Sequence, residues 1–234
     1  MVAGKSKKTT LRDHYYAEIH DYNIDVDDFA IYLVPYPTTY YDGDIYFSEP
    51  GVEYQMSGLF IKNLHILTRL DPERPILVHM KTCGGSWEEG MAIYDSIRAC
   101  PNPVVILSYT YARSMSSIIL QAADKRVLMP HSYFMIHEGT YGDEGTFKGA
   151  MTRAEFSLKS RDVMLDLYAN HLKKRGAARF RKMSLERLKH LLQNKIDEKE
   201  DFFFTAKEAV GWGFADEIFG GDDGDFDWAA LRDV

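Results

Sequence analysis

Ser114 lies where a nucleophile can be held on a sharp turn between a strand and a helix. The apolar run 103–109 precedes it, and a short helical pattern covers 114–123. In an open α/β sheet, such a turn exposes a side chain above the carboxyl ends of the strands. The local sequence lacks the Gly-x-Ser-x-Gly form, and a serine here also suits a helix N-cap. Both roles stay open for Ser114 from these residues alone.

His137 is a candidate general base for that serine. A serine hydroxyl is a poor nucleophile at neutral pH, and a neutral imidazole within hydrogen-bond reach must take its proton. His137 ends the apolar run 133–136 beside a glycine-rich segment, where substrate could reach its ring. Spacing alone leaves His131, His79 and His65 as competitors.

A carboxylate must hold the base in the correct tautomer and stabilise its imidazolium. Spacing does not choose among four acids near the C-terminal end of the chain, which are Asp197, Glu198, Glu200 and Asp201. Gly84 and Gly85 follow another buried run, at a place where bare backbone amides can face a ligand or simply form a tight turn. Each feature is weak by itself, and although the three converge, a purely structural role for each residue stays open at this point.

Alternating strands and helices must position these residues. Helical spacing covers 56–70, 87–99, 147–172 and 184–193, and β-prone runs cover 31–34, 44–47, 75–80, 103–109, 126–129 and 132–137. Continuous β-branched runs alternating with helices predict βαβ units with strands buried on both faces, and so an α/β fold. Thr205 and Glu208 have the spacing of a capping box for a helix that ends near Gly211 or Gly213.

Composition excludes several classes of protein. The 234 residues carry a net charge of -7, which argues against a general nucleic-acid binder, although residues 173–182 form a local basic stretch. No apolar run approaches the roughly 20 residues of a membrane-spanning helix, and no secretory signal is apparent. Two cysteines are too few for a disulfide framework or a zinc cluster. We therefore expect a cytoplasmic protein with reduced thiols that binds neither membrane nor nucleic acid.

The order of these motifs resembles the Clp protease catalytic subunit (ClpP) family from about Phe47 to Phe219. The residues that carry the resemblance are 82–86 (TCGGS), 90–95 (GMAIYD), 112–115 (ARSM), 135–137 (MIH) and the acidic stretch 197–201 leading into 204–210 (FTAKEAV). The resemblance implies a serine endopeptidase with Ser114 as nucleophile, His137 as base and Asp197 as the orienting acid. It also implies an oxyanion hole formed by the amides of Gly85 and Met115.

The same resemblance implies an architecture and a set of partners. We expect a crotonase-like ClpP fold of repeated ββα units with a protruding handle helix at 147–172. The glycine-rich strand 139–145, with Gly139, Gly142 and Gly145, would pair with an extended polypeptide substrate. Homo-oligomers are expected, as heptameric rings stacked into a tetradecamer, with an AAA+ unfoldase as a further partner. The subunit itself would need no metal, organic cofactor or ATP, since the sequence has no phosphate-binding loop.

Domain boundaries follow from the same comparison of patterns. Residues 1–28 are expected to form a flexible N-terminal arm, 29–219 the peptidase domain, and 220–234 an acidic, glycine-rich tail that is mobile or peripheral.

Three residues depart from the family's pattern around the glycine pair and the serine. Cys83 replaces a proline, Arg113 a small residue and Ser116 a glycine, and residues 173–183 look like a small insertion. Arg113 is expected to point outward into a subunit contact, and a preference for acidic substrate groups is the alternative. Two other functions stay open, namely a non-catalytic, structural ring subunit and an acyl-CoA hydratase or isomerase on the same core.

Overall fold

The computed structural model describes residues 10–35, 51–140, 145–221, 224 and 226–234. In these residues it contains eight α-helices, eight strands and a C-terminal 3-10 helix at Ala230–Arg232. The helices are α1 (Leu11–Tyr22), α2 (Tyr54–Leu70), α3 (Trp87–Ala99), α4 (Met115–Leu120), α5 (Phe147–Arg175), α6 (Ala178–Arg181), α7 (Leu185–Lys199) and α8 (Ala206–Trp212). The strands are β1 (Ile24–Asp25), β2 (Ala30–Leu33), β3 (Ile76–Thr82), β4 (Val104–Arg113), β5 (Lys125–Leu128), β6 (Tyr133–Ile136), β7 (Phe202–Thr205) and β8 (Glu217–Ile218).

A mostly parallel sheet forms the centre of the fold, as the alternating pattern predicts. Its strand order is β1-β2-β3-β4-β5-β8, and β6 pairs with the far end of β4. The pairs β2–β3, β3–β4, β4–β5 and β5–β8 are parallel, whereas β1–β2 and β6–β7 are antiparallel. The α/β prediction is therefore confirmed, and the carboxyl ends of β3, β4 and β6 meet at one edge of the sheet.

The two faces of the sheet are covered differently. Helices α2, α3 and α4 cover the larger core on one face. A second, smaller core on the opposite face contains Leu77, Val105, Leu107 and Val127, and the C-terminal Leu231 closes it. The central strands are apolar on both sides because both faces of the sheet are buried.

The predicted helices form close to their expected bounds. Pro72 follows the end of α2, where a proline cannot continue a helix interior. The capping box at α8 is present, with Thr205 accepting from the Glu208 amide and the Glu208 carboxylate accepting from the Thr205 amide. Gly213, at a φ of 97°, ends that helix in the left-handed conformation that favours glycine.

Helix α5 is the predicted handle, and its two halves have different surroundings. The C-terminal half packs against α6 and α7, where Asp166 forms an ion pair with Lys189. The N-terminal half is exposed and includes the large apolar side chains of Phe147, Met151 and Phe156. In the apparent insertion, α6 is tied back to α5, since Lys173 donates to two backbone carbonyls of residues 181 and 183.

Both chain ends carry more structure than their polar sequences suggest. Residues 11–22 form α1, which begins at a Thr10–Asp13 capping box and contacts the fold where Asn63 donates to the Tyr22 carbonyl at 2.6 Å. At the other end, Leu231 is buried, because the acidic tail contains apolar residues that pack against the sheet. The predicted strand 44–47 and residues 1–9 lie outside the described residues.

Across the described part of the chain, every helix is too short or too polar to cross a lipid bilayer.

Candidate active site

Ser114 forms the turn between β4 and α4 in a conformation that non-glycine residues rarely adopt. Its φ is 54° and its ψ is −131°, and its amide donates to the Met135 carbonyl of β6 at 3.2 Å. Backbone held in such sparsely populated regions costs about 1–3 kcal/mol and clusters at functional sites. Ser114 occupies the N-cap position of α4, yet its side chain makes no capping hydrogen bond. The hydroxyl therefore remains available for another partner.

That partner is His137, the residue that follows β6. The distance between its Nε2 and the Ser114 Oγ is 2.7 Å. The competing histidines lie elsewhere. His79 is hydrogen-bonded to Tyr109, and His65 lines a separate cleft beside Cys100. His131 is exposed in the turn before β6. Of these four histidines, the fold therefore places His137 against the Ser114 hydroxyl.

The structure places Asp201, rather than the predicted Asp197, against the imidazole of His137. The distance from His137 Nδ1 to Asp201 Oδ1 is 3.0 Å. Asp197 lies on α7 and accepts a hydrogen bond from Gln193, one helical turn earlier, at 2.7 Å.

Strand pairing explains why Asp201 reaches the histidine. Strand β7 runs antiparallel to β6, and Phe202 pairs with Ile136. The next step of this register puts the residue before β7, Asp201, opposite the residue after β6, His137. Glu200 makes the tight reversal between α7 and β7 at a φ of 57°. The run 202–204 (FFF) is typical of a strand, but only the pairing of β7 with β6 places the residue before it beside His137.

The glycine pair brings its backbone close to the nucleophile turn. A Cβ on Gly84, whose φ is 97°, would lie 2.7 Å from the Cβ of Ser114. A Cβ on Gly85, whose φ is 147°, would lie 2.4 Å from the Val52 backbone. Only glycine fits at either position without displacement of the neighbouring backbone.

Two backbone amides near the serine, those of Gly85 and Met115, are candidate donors to a ligand. Val52 donates to the Gly84 carbonyl and accepts from the Ser86 amide, so the Gly85 N–H takes no part in this pair of bonds. Met115 is the first residue of α4, where an N–H has no carbonyl one turn earlier to bond. Amides of this kind can stabilise a negative oxygen that develops next to the serine.

A cleft of about 490 Å³ opens onto the serine and the histidine. One wall comes from residues 85–88 and the start of α4, and the other comes from α5 and residues 138–140. The α5 side chains that line it are Phe156, Ser157, Ser160, Arg161 and Met164. Of the predicted substrate-strand glycines, Gly139 lines the cleft at a φ of 91°, Gly145 lies just before α5, and Gly142 falls outside the described residues.

The unusual residues around the serine are accommodated without blocking it. The Ser116 hydroxyl is buried and donates to the Thr82 carbonyl at 2.7 Å. The Arg113 guanidinium lies over the Tyr111 ring, 4.4 Å from its centroid, and donates to the Cys83 carbonyl. Arg113 is not among the residues that line the cleft.

In the part of the chain that the structure describes, no three His, Cys, Asp or Glu side chains lie together in a group that could hold a metal ion. The polar chain Asp201–His137–Ser114 is instead suited to proton transfer and nucleophilic attack.

Comparison with known proteins shows the family of this chain. The Clp protease family model matches residues 36–222. The chain belongs to the Clp protease family. An ATP-dependent Clp protease proteolytic subunit from Deinococcus radiodurans is 32% identical over 178 residues, which cover 74% of this chain and 79% of the relative. An ATP-dependent Clp protease proteolytic subunit 1 from Frankia casuarinae is 30% identical over 169 residues, covering 71% of this chain and 72% of the relative. The α/β sheet and the long helix α5 are consistent with the Clp protease fold.

Proposed function

We propose that this chain is the proteolytic subunit of a Clp-type protease and cleaves peptide bonds with Ser114, His137 and Asp201. The observation that carries the proposal is the continuous hydrogen-bonded chain, 2.7 Å from serine to imidazole and 3.0 Å from imidazole to carboxylate. Both distances lie within the reach that proton transfer to a general base requires.

Each residue has a defined role in this mechanism. His137 Nε2 takes the proton as Ser114 Oγ attacks the peptide carbonyl, and Asp201 accepts from the Nδ1–H and stabilises the imidazolium. The amides of Gly85 and Met115 bind the oxyanion of the tetrahedral intermediate. When the intermediate collapses, His137 gives its proton to the leaving amine. A water molecule then attacks the acyl-enzyme by the same route and regenerates the free serine.

The substrate is an extended, unfolded or small polypeptide. The backbone at Gly139, which lines the cleft, would pair with it as an added strand, and the scissile carbonyl would then lie beside Ser114. The cleft supports this proposal because it is lined by apolar side chains, such as Ile118 and Met164, and by residues 138–140, which belong to no strand or helix.

The working form is a homo-oligomer, with heptameric rings that stack in pairs around a chamber. The exposed apolar side chains on the first half of α5 support an interface there, since large exposed apolar patches mark contact surfaces. Hydrolysis at the triad consumes no ATP. An AAA+ unfoldase would supply ATP-driven unfolding, and the names of both relatives describe an ATP-dependent protease.

A fluorophosphonate probe tests the proposal on the assembled protein. Labelling is expected at Ser114, identified by mass spectrometry, and is expected to vanish in Ser114→Ala and His137→Ala. Ser96→Ala and His131→Ala are matched controls away from the cleft and are expected to label like the parent. Hydrolysis of a fluorogenic peptide should follow the same order.

Absence of labelling in a correctly assembled oligomer would refute the peptidase proposal. A non-catalytic ring subunit would then be the better explanation, and turnover of an acyl-CoA substrate would indicate a hydratase or isomerase.

A further inference from the structure

Ser117 and Tyr168 connect helix α5 to the backbone of the nucleophile turn. The Ser117 Oγ donates to the Ser114 carbonyl at 2.6 Å, and it lies 2.6 Å from the Tyr168 hydroxyl. A carbonyl can only accept, so the single proton of Ser117 is directed to Ser114. The Tyr168 hydroxyl must therefore donate to Ser117, and the three groups form a directional chain.

This chain of hydrogen bonds is shielded from water. Ser117 is fully buried and Tyr168 is 1% exposed. Burial raises the pKa of Tyr168 well above its ordinary value, so its hydroxyl keeps the proton that it donates. Because water does not compete and the local dielectric is low, such bonds fix geometry more firmly than surface bonds do.

The carbonyl at the end of the chain shares a peptide plane with the proposed oxyanion donor. The Ser114 C=O and the Met115 N–H belong to one rigid, planar peptide group. Whatever holds this carbonyl also sets the direction of the Met115 N–H. The Ser117 amide, 3.0 Å from the same oxygen, is the second group that holds it.

Tyr168 is also in contact with the element that carries the base. Its ring packs edge-on against Phe134 of β6, three residues before His137, with 6.3 Å between the ring centroids. One turn earlier on α5, Met164 lines the cleft. The same helix therefore borders the substrate and supports the turn.

We propose that Tyr168, acting through Ser117, is a positioning residue that fixes the Ser114–Met115 peptide plane and so aims the Met115 amide at the oxyanion. This inference rests on the proposed peptidase function. Neither side chain touches the reacting atoms, and both act through the Met115 amide. Because the oxyanion that this amide binds develops only in the transition state, removal of either hydroxyl should weaken binding of the transition state more than binding of the substrate.

Hydroxyl-deletion variants of the assembled protein test this proposal. Ser117→Ala is expected to lower kcat for a fluorogenic peptide roughly tenfold, and Tyr168→Phe about threefold, with KM changed less than about twofold. Affinity for a peptide boronate, which presents a tetrahedral oxygen to the hole, should fall in parallel with kcat. Ser117→Thr keeps a hydroxyl and should recover most of the loss, and the double variant should be no slower than Ser117→Ala.

Tyr109→Phe is the matched control, since it also removes a tyrosine hydroxyl bond, to His79 and away from the cleft. It is expected to leave kcat and boronate affinity at the parent values. The pH profile of every variant should keep the parent's shape, because the base is untouched.

Folded Tyr168→Phe and Ser117→Ala variants with parental kcat and boronate affinity would overturn the inference, and a lower Tm alone would show a packing role. If Tyr168→Phe does not assemble, the Ser117→Ala and Ser117→Thr pair decides the question. Failure of the proposed function is distinguishable, because the parent itself would then leave Ser114 unlabelled by fluorophosphonate.

Discussion

Replacement of Asp201 by asparagine is expected to lower kcat about 10²- to 10⁴-fold. In the transition state the carboxylate faces a charged imidazolium across the 3.0 Å contact. Attraction between unit charges about 4 Å apart is roughly 1 kcal/mol in water and roughly 4 kcal/mol near a protein surface. The Asp201 side chain is 48% exposed, which places this pair between those limits.

The tautomer of His137 adds to that loss. An asparagine amide can donate to Nδ1, and the ring proton then lies on Nε2. A protonated Nε2 can no longer accept the proton of Ser114. The assay is peptide hydrolysis together with the rate of fluorophosphonate labelling. KM is expected to stay near the parent value, because the carboxylate does not line the cleft.

Asp197→Asn is the matched control for this prediction. An asparagine there can still accept from Gln193, so kcat is expected within about twofold of the parent. The opposite result, in which Asp197→Asn loses activity and Asp201→Asn keeps it, would refute the assignment of Asp201.

Three other perturbations give further predictions. Gly84→Ala should abolish most Ser114 labelling, since the new Cβ would lie 2.7 Å from the Cβ of the serine. Gly58→Ala, in open space on α2, should keep that labelling and raise the free energy of unfolding by about 0.5–1 kcal/mol. Equal labelling of the two variants would contradict this prediction. Burial lowers the pKa of His79 to about 4, and burial together with the Arg126 charge lowers that of His171 to about 3. As pH falls below about 6.5, these histidines bind protons in the unfolded chain before they do so in the folded chain. Urea denaturation should therefore show the free energy of unfolding falling from about pH 6.5 down to pH 3–4, with a shallower fall in His171→Gln. A free energy of unfolding that does not change over this range would contradict this. Leu231→Ala removes a buried side chain, which typically lowers the free energy of unfolding by about 2–5 kcal/mol. Hydrogen exchange of residues 226–234 should therefore accelerate while Ser114 labelling persists, and unchanged exchange would contradict this prediction.

The order of strands and helices could be predicted from local patterns. The central runs are apolar without alternation because parallel strands are buried on both faces. Residues 87–99 form the predicted helix with the same bounds, and the predicted capping box at Thr205 starts α8. The helix bounds and the capping box depend on residues a few positions apart, and the buried strands appear as continuous apolar runs, so both can be recognised in the sequence.

The chain ends were harder to predict. Helix α1 has a weak apolar face, and one of its hydrogen bonds to the fold comes from Asn63, which is distant in sequence. The acidic composition of the tail gave no sign that Leu231 completes a core on the far side of the sheet.

The site shows the same division. By themselves, the residues limited the chemistry to a serine, several histidines and four acids near the C-terminal end of the chain, and family resemblance then selected Ser114, His137 and Asp197. Only the tertiary structure shows that Asp201, and not Asp197, lies against His137, because this contact depends on the register between β6 and β7, which are separated by more than sixty residues. The link from Tyr168 through Ser117 to the nucleophile turn is equally invisible in the sequence, since it forms only when α5 packs against α4. Local spacing specifies which chemistry is possible, and long-range packing specifies which atoms meet.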